Sequence, residues 1–152
     1  MTAFHILQGV ETLPLRMARH VENARAIVRF LREHPFVAAI GYPELPAHPD
    51  HELAKRLLPR GAGAVFSFDV KGTREQGRRF IESLRLFSHL ANVGDAKSLV
   101  IHPASTTHYR MSDEDLRRAG ITEGTIRLSV GLEDPADLVD DLSRALNAAS
   151  RA

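Results

Sequence analysis

The chain has 152 residues, 43% hydrophobic and 26% charged, the composition of one ordinary globular domain that is long enough for a single core. Twenty Lys+Arg against nineteen Asp+Glu leave a net charge of +1, which makes no electrostatic case for nucleic acid or a membrane surface. With no Cys, disulfide frameworks, thiolate zinc sites and cysteine nucleophiles are excluded.

No apolar run approaches the roughly 20 residues of a membrane span. Met1-Thr2-Ala3-Phe4-His5 has no basic start before a long apolar stretch, so it does not read as a signal peptide, and the cytosol is the expected compartment. From about Val10 to His34 the spacing predicts one long amphipathic helix. Leu13, Met17, Val21, Ala24, Ile27, Val28 and Leu31 recur at three- and four-residue steps, and Arg16, Arg19, Arg25, Arg29 and Arg32 fill much of the other side. Pro14 must lie in its first turn or kink it. Phe36 to Ile40 is a short strand candidate, followed by a Pro-rich loop and a short helix from Asp50 to Leu58. Ala64 to Val70 predicts a strand with Phe66 and Phe68 on one side. Thr73-Arg74-Glu75-Gln76 is a capping box opening a helix to about Leu86. Phe87 to Asn92 and Ser98 to His102 are further short strand candidates. Ser112 caps a short helix that stops at Gly120. Gly124 to Val130 alternates, with Ile126, Leu128 and Val130 on one side and Thr125, Arg127 and Ser129 on the other. Asp134-Pro135 starts a final helix striped by Leu138, Val139, Leu142 and Leu146. The sum is a small α/β (α+β) fold, a mixed or antiparallel sheet with helices mostly on one face and a long N-terminal helix.

Few motifs carry chemistry on their own. Gly61-Ala62-Gly63-Ala64 precedes a strand and reads as a turn rather than a phosphate loop. His48 and His51, with Glu52, and His102 and His108 lack a metal-ligand pattern and read as loop polar residues. No Gly-x-Ser-x-Gly elbow is present. Arg127 stands out. On a rigid strand between Thr125 and Ser129, its guanidinium can bind a carboxylate bidentately, or it can be solvated or paired with a structural carboxylate. Asn92-Val93-Gly94-Asp95 is a turn whose N–H groups could face an anion, or a plain connection. His102 to His108 is a hydroxyl-rich loop.

Taken together, three of these segments and one more carry a resemblance. Leu7-Gln8-Gly9-Val10-Glu11-Thr12-Leu13-Pro14-Leu15-Arg16-Met17, Asn92-Val93-Gly94-Asp95-Ala96-Lys97-Ser98-Leu99, His102-Pro103-Ala104-Ser105-Thr106-Thr107-His108 and Gly124-Thr125-Ile126-Arg127-Leu128-Ser129-Val130-Gly131-Leu132-Glu133-Asp134-Pro135 resemble, in order and spacing, the Cys/Met-metabolism family of pyridoxal-phosphate enzymes. The Asn-Val-Gly-Asp and Pro-Ala-Ser-Thr-Thr-His forms look most like its O-acetylhomoserine sulfhydrylases. The resemblance implies the C-terminal part of fold type I. Residues 1–34 would be a long linking helix and 35–152 a small domain, with the cofactor-binding large domain upstream. It implies that Arg127 binds the substrate α-carboxylate, assisted by Asn92, Val93 and Thr106. It also implies an O-acetylhomoserine-like substrate, sulfide or a thiol as second substrate, and a tetrameric homo-oligomer.

Pyridoxal phosphate needs a lysine to hold it covalently, and the family's lysine lies in a Ser-x-Thr-Lys context. Lys55, Lys71 and Lys97, against 17 Arg, are the chain's three lysines, and none has that context. Lys97 reads as a surface cation. The expectation is a fragment without catalytic residues of its own, binding no cofactor and inactive alone, whose parent performs γ-replacement. The alternatives are a cystathionine γ-lyase or γ-synthase or a succinylhomoserine sulfhydrylase, or else a freestanding ligand-binding or interaction module.

Overall fold

A computed structural model describes residues 1–151. Helices α1 (Thr2–Glu11) and α2 (Leu13–Glu33) come first. The single helix expected from Val10 is therefore two helices, the first beginning near the N-terminus. Pro14 lies in the first turn of α2, and its ring would meet the carbonyl of Val10 if the helix ran through. Arg16 spans the break, donating to Thr12 Oγ1 at 3.3 Å and to the Gly9 carbonyl.

Strands β1 (Val37–Gly41), β2 (Val65–Val70), β3 (Ser88–His89), β4 (Leu99–Ile101) and β5 (Thr125–Ser129) form one sheet in the order β1-β2-β5-β4-β3. All pairs are antiparallel except β3 with β4. The mixed sheet expected from the short strands is present. Helices α3 (His51–Leu57), α4 (Arg74–Ser83), α5 (Asp113–Arg118) and α6 (Pro135–Ser150) complete the chain, with a turn of 3₁₀ helix at Pro103–Ser105.

One face of the sheet carries the core. Phe66, Phe68 and Val70 of β2 and Ile126 and Leu128 of β5 are buried with Ala24, Ile27, Val28 and Leu31 of α2 and Leu138, Leu142 and Leu146 of α6. Alternation then places Ser67, Asp69, Thr125, Arg127 and Ser129 on the other face, with Ser67 opposite Arg127 and Asp69 opposite Thr125 across β2 and β5.

Most expected elements lose a residue at an end, and two are cut back further for a tertiary reason. Helix α4 stops at Ser83 instead of Leu86 because the Asp141 carboxylate of α6, 3% exposed, accepts the backbone N–H groups of Arg85, Leu86 and Phe87 at 2.8–3.2 Å. A continued helix would have sent those donors to carbonyls four residues back. Arg144 bonds the same carboxylate. The strand expected over Phe87 to Asn92 is only Ser88–His89, since its partner β4 is three residues long.

The Pro-rich loop after β1 is held by Glu44. Its carboxylate takes both Arg25 Nε (2.6 Å) and Nη2 (3.1 Å) and the Ala62 N–H (2.8 Å). Burial pushes its pKa up, but these donors together outweigh that and hold it below the ordinary value. Burial also drives the neighbouring Tyr42 phenol well above its ordinary value.

His102, fully buried, joins α4 to the far end of β5. Nε2 lies 2.7 Å from the Glu123 carbonyl and Nδ1 2.8 Å from Ser105 Oγ. A carbonyl oxygen only accepts, so Nε2 carries the proton and Nδ1 accepts from the serine. The ring fills the space over Gly77, where a Cβ would stand 2.5 Å from Nε2. Gly77→Ala should therefore lower stability by about 1–3 kcal/mol through overpacking, although helix propensity alone favours alanine by about 1 kcal/mol. Urea unfolding of the two proteins checks this.

Burial holds the His102 pKa below 6.5, against the pull of the Glu123 carbonyl, and burial lowers His34 likewise. As pH falls through 6.5, the unfolded chain takes up protons that the folded chain still refuses, so stability present above that pH is lost toward the folded pKa. Melting temperature should fall on the acid side of pH 6.5, and His102→Gln should flatten that fall.

Candidate functional site

Arg127 sits at the middle of β5, the central strand, with β2 on one side and β4 on the other. Its neighbours on the same face are the hydroxyls of Thr125 and Ser129, and Ile101 lies opposite it in β4. The side chain is half-buried. Nη2 donates to the Asn92 carbonyl at 3.1 Å. Among the described residues no carboxylate lies within ion-pair distance of Arg127. A guanidinium with five N–H donors thus keeps most of them free of protein acceptors and has no neutralising charge beside it.

Asn92 lies in an irregular loop between β3 and β4, where its Oδ1 accepts the Val93 N–H at 2.9 Å. The Val93 side chain is exposed. Gly94 follows with φ +71, a left-handed turn that glycine adopts without strain. The structure thus brings Asn92 to Arg127 and keeps Val93 next in the loop. Thr106 sits just after the 3₁₀ turn, half-buried, with its hydroxyl donating to the His102 carbonyl at 2.8 Å. Among the described residues no hydrogen bond joins it to Arg127.

The cleft beside Arg127 is lined by Leu90, Asn92, Leu99, Val100, Ile101 and Ser129 and leaves no room for a water molecule. Ser129 also borders a hollow of about 260 Å³, lined in addition by Met17, His20 and Gly94.

Supporting residues reach the site from three elements. His20 Nδ1 lies 2.6 Å from the Val130 carbonyl, and Asn23 Nδ2 donates to the carbonyls of Gly131 (3.0 Å) and Glu133 (2.8 Å). The Glu133 carboxylate accepts the Ser98 N–H (2.7 Å) and hydroxyl (2.8 Å), and Ser98 Oγ accepts the Gly131 N–H (2.8 Å). Sequence reasoning assigns these residues no role. Ser98 and Glu133 do lie inside the segments that carry the family resemblance, while His20 and Asn23 stand out only as a polar pair on the otherwise apolar side of α2.

The lysines do not by themselves fit pyridoxal phosphate. Lys55 pairs with Glu52 at 3.1 Å on an exposed part of α3, Lys71 and Lys97 are exposed, and none lines the cleft at Arg127. Among the described residues no group of three His, Asp or Glu could hold a metal. No described helix is long and apolar enough to cross a membrane.

The fold matches part of a fold type I pyridoxal-phosphate enzyme. A crystal structure from Campylobacter jejuni, described as an O-acetylhomoserine (thiol)-lyase with a pyridoxyl-lysine, superposes with a TM-score of 0.87 at 45% identity, over 93% of this chain and 34% of that one. Residues 1–147 match the model of the Cys/Met metabolism PLP-dependent enzyme family, and the chain belongs to that family. Homocysteine synthase of Schizosaccharomyces pombe is 50% identical over 146 residues, 96% of this chain and 34% of the relative. O-acetyl-L-homoserine sulfhydrylase of Leptospira meyeri is 50% identical over 145 residues, 95% and 33% of the two chains. L-methionine gamma-lyase of Fusobacterium nucleatum is 42% identical over 144 residues, 95% and 36%. The chain spans about a third of the length of these relatives.

Incubating the isolated chain with pyridoxal phosphate and reducing with borohydride should label no single lysine stoichiometrically. Peptide mass spectrometry checks this, and quantitative labelling that disappears in Lys97→Ala contradicts it.

Proposed function

We propose that this chain is the C-terminal part of an O-acetylhomoserine sulfhydrylase, and that its task is to hold the α-carboxylate of the amino-acid substrate. Residues 1–34 form the helical link to a cofactor-bearing domain, and residues 35–152 form the small domain. The observation that carries this reading is Arg127, half-buried on a central strand and steadied by one main-chain carbonyl, with no acidic partner among the described residues. Such a group is arranged to meet an anion that arrives from outside. The hydroxyls of Ser129 and Thr125 and the loop of Asn92 and Val93 flank the same face. Thr106 would help shape the approach through the loop after β4.

Pyridoxal phosphate, bound by the rest of the enzyme, supplies the electron sink for proton removal from the substrate carbons. The contribution of these residues is orientation. A carboxylate held by Arg127 restricts the settings in which the amino acid can present its reacting carbons, and positioning of this kind accelerates a reaction without further chemistry from the arginine. The overall change we favour is replacement of acetate by sulfide or methanethiol, giving homocysteine or methionine. Support for it comes from the relatives named for homocysteine synthesis and O-acetylhomoserine sulfhydrylation. Elimination is the second reading, favoured by the match to a methionine gamma-lyase. We read the whole enzyme as a cytoplasmic homo-oligomer and the isolated chain as inactive.

The test is Arg127→Lys and Arg127→Ala in the polypeptide that carries both this chain and the cofactor lysine. Loss of a charge-assisted contact should raise the KM for the amino-acid ester by about 10- to 100-fold, with the KM for sulfide within a factor of about two. Assays with acetyl and succinyl esters, and with methionine alone, separate replacement from elimination. An unchanged KM for the amino acid in Arg127→Ala overturns the carboxylate assignment.

A further inference from the structure

Arg127 takes its aim from a carbonyl in an irregular loop, so something must hold that loop in place. The loop from Leu90 to Lys97 contains no helix or strand, and most of it is exposed. Its own bonds are short-range ones, Val93 N–H to Asn92 Oδ1 and Lys97 N–H to Asp95 Oδ1. At its entry β3 offers two residues of pairing. Its exit is different. The Leu132 N–H bonds the Ala96 carbonyl at 2.9 Å, and the next residue but one, Ser98, is fully buried against Glu133. Both oxygens of the Glu133 carboxylate are used there, one on the Ser98 N–H and one on its hydroxyl, and the hydroxyl oxygen passes the connection to the Gly131 N–H. Gly131 must be glycine for this closeness, because a Cβ there would collide with the Ala96 carbonyl. From the opposite side Asn23 grips the carbonyls of Gly131 and Glu133.

We propose that Glu133 is a positioning residue for the carboxylate site, bracing the exit of the Asn92 loop against the turn after β5 and so fixing the direction of Arg127. The proposal rests on the reading of Arg127 as the carboxylate-binding residue. The brace reaches the loop and β5 together. Glu133 follows Arg127 by six residues on one chain segment, and Ser98 follows Asn92 by six on the other. Tying Ser98 to Glu133 therefore closes a ring whose opposite side is the Arg127–Asn92 hydrogen bond. If the tie is cut, the exit keeps its backbone bonds, Leu132 N–H to Ala96 and Ser88 N–H to Ser98, but loses the carboxylate that fixes Ser98 to the turn after β5, and the carbonyl that steadies the guanidinium is held less firmly. Hydrogen bonds to a carboxylate are about twice as strong as neutral ones, which suits a ring that must stay shut while a charged ligand enters and leaves.

The experiment uses the whole enzyme with its cofactor. Glu133→Ala should raise the KM for the amino-acid substrate about tenfold, leave kcat and the KM for sulfide within a factor of about two, and reduce amide-exchange protection over residues 91–98. Glu133→Gln keeps an acceptor for the Ser98 N–H and should recover most of the loss. Ser98→Ala removes the bridging hydroxyl and leaves the backbone bonds. It should raise the same KM severalfold, and it stands in if Glu133→Ala does not fold. A Glu133→Ala enzyme with unchanged KM overturns the proposal, as does a parallel fall in kcat and both affinities that Gln fails to relieve. Arg127→Lys, run alongside, separates the two ideas. If it too leaves the amino-acid KM unchanged, the carboxylate reading itself has failed. If it raises that KM while the Glu133 and Ser98 variants do not, only the brace has failed.

Discussion

The turn that follows the central strand is held by two polar side chains from α2. His20 and Asn23 lie on the buried side of that helix, among Val21, Ala24 and Ile27, and together contact three carbonyls of the turn, those of Val130, Gly131 and Glu133. A buried carbonyl left without a donor costs about 1–3 kcal/mol, so these bonds decide how the chain can leave β5. Apolar contact alone would hold α2 against the sheet in many rotations. The two polar contacts select one, and the register of α2, the direction of the turn and the starting point of α6 follow. Asn23 accepts a penalty for this role, since its Oδ1 is buried without a hydrogen-bond partner.

A similar device works at the other side of the core. Asp141 stands on α6 within a stripe of leucines, where a carboxylate is tolerated only with its oxygens occupied. Three backbone donors and Arg144 occupy them. Helix α6 thereby determines where α4 ends, and the segment that leaves α4 is delivered to β3. His102 makes the third such junction, tying the 3₁₀ turn to the approach of β5. Buried polar groups that are fully satisfied specify one arrangement where leucine and valine would permit several. In this domain the backbone groups they bind lie at element ends, where the chain must change direction.

Residues with a clear local period are legible in the amino-acid sequence alone. The alternation of Ile126, Leu128 and Val130, the capping box at Thr73 and the Asp134-Pro135 start all correspond to observed elements. The family is legible too, through four short motifs in order. Less legible are places where distant residues override local preference. Nothing near Leu84 announces that Asp141 will capture the next three N–H groups. The break before α2 is by contrast local: Pro14 lies in the first turn of α2, one of the two places open to it. At the candidate site, Arg127 and Asn92 can be named from sequence, but the carbonyl bond between them and the support from Ser98, Glu133 and Asn23 span 33 to 110 positions. No local pattern encodes such separations.

The place of β5 in the sheet has a consequence for how the domain forms. It is the last strand in the chain and the central one in space, with β2 on one side and β4 on the other. Until Ser129 has been made, β1–β2 and β3–β4 are two separate ribbons with no strand to join them, and the partner of His20 lies 110 residues ahead. Contacts of such sequence separation close late and slowly, because the loop entropy is lost before the contact is gained. During synthesis, α2 must therefore wait with its buried face exposed while most of the domain emerges behind it. The domain should assemble in one late step, when the strand that carries Arg127 is inserted between two ribbons made before it.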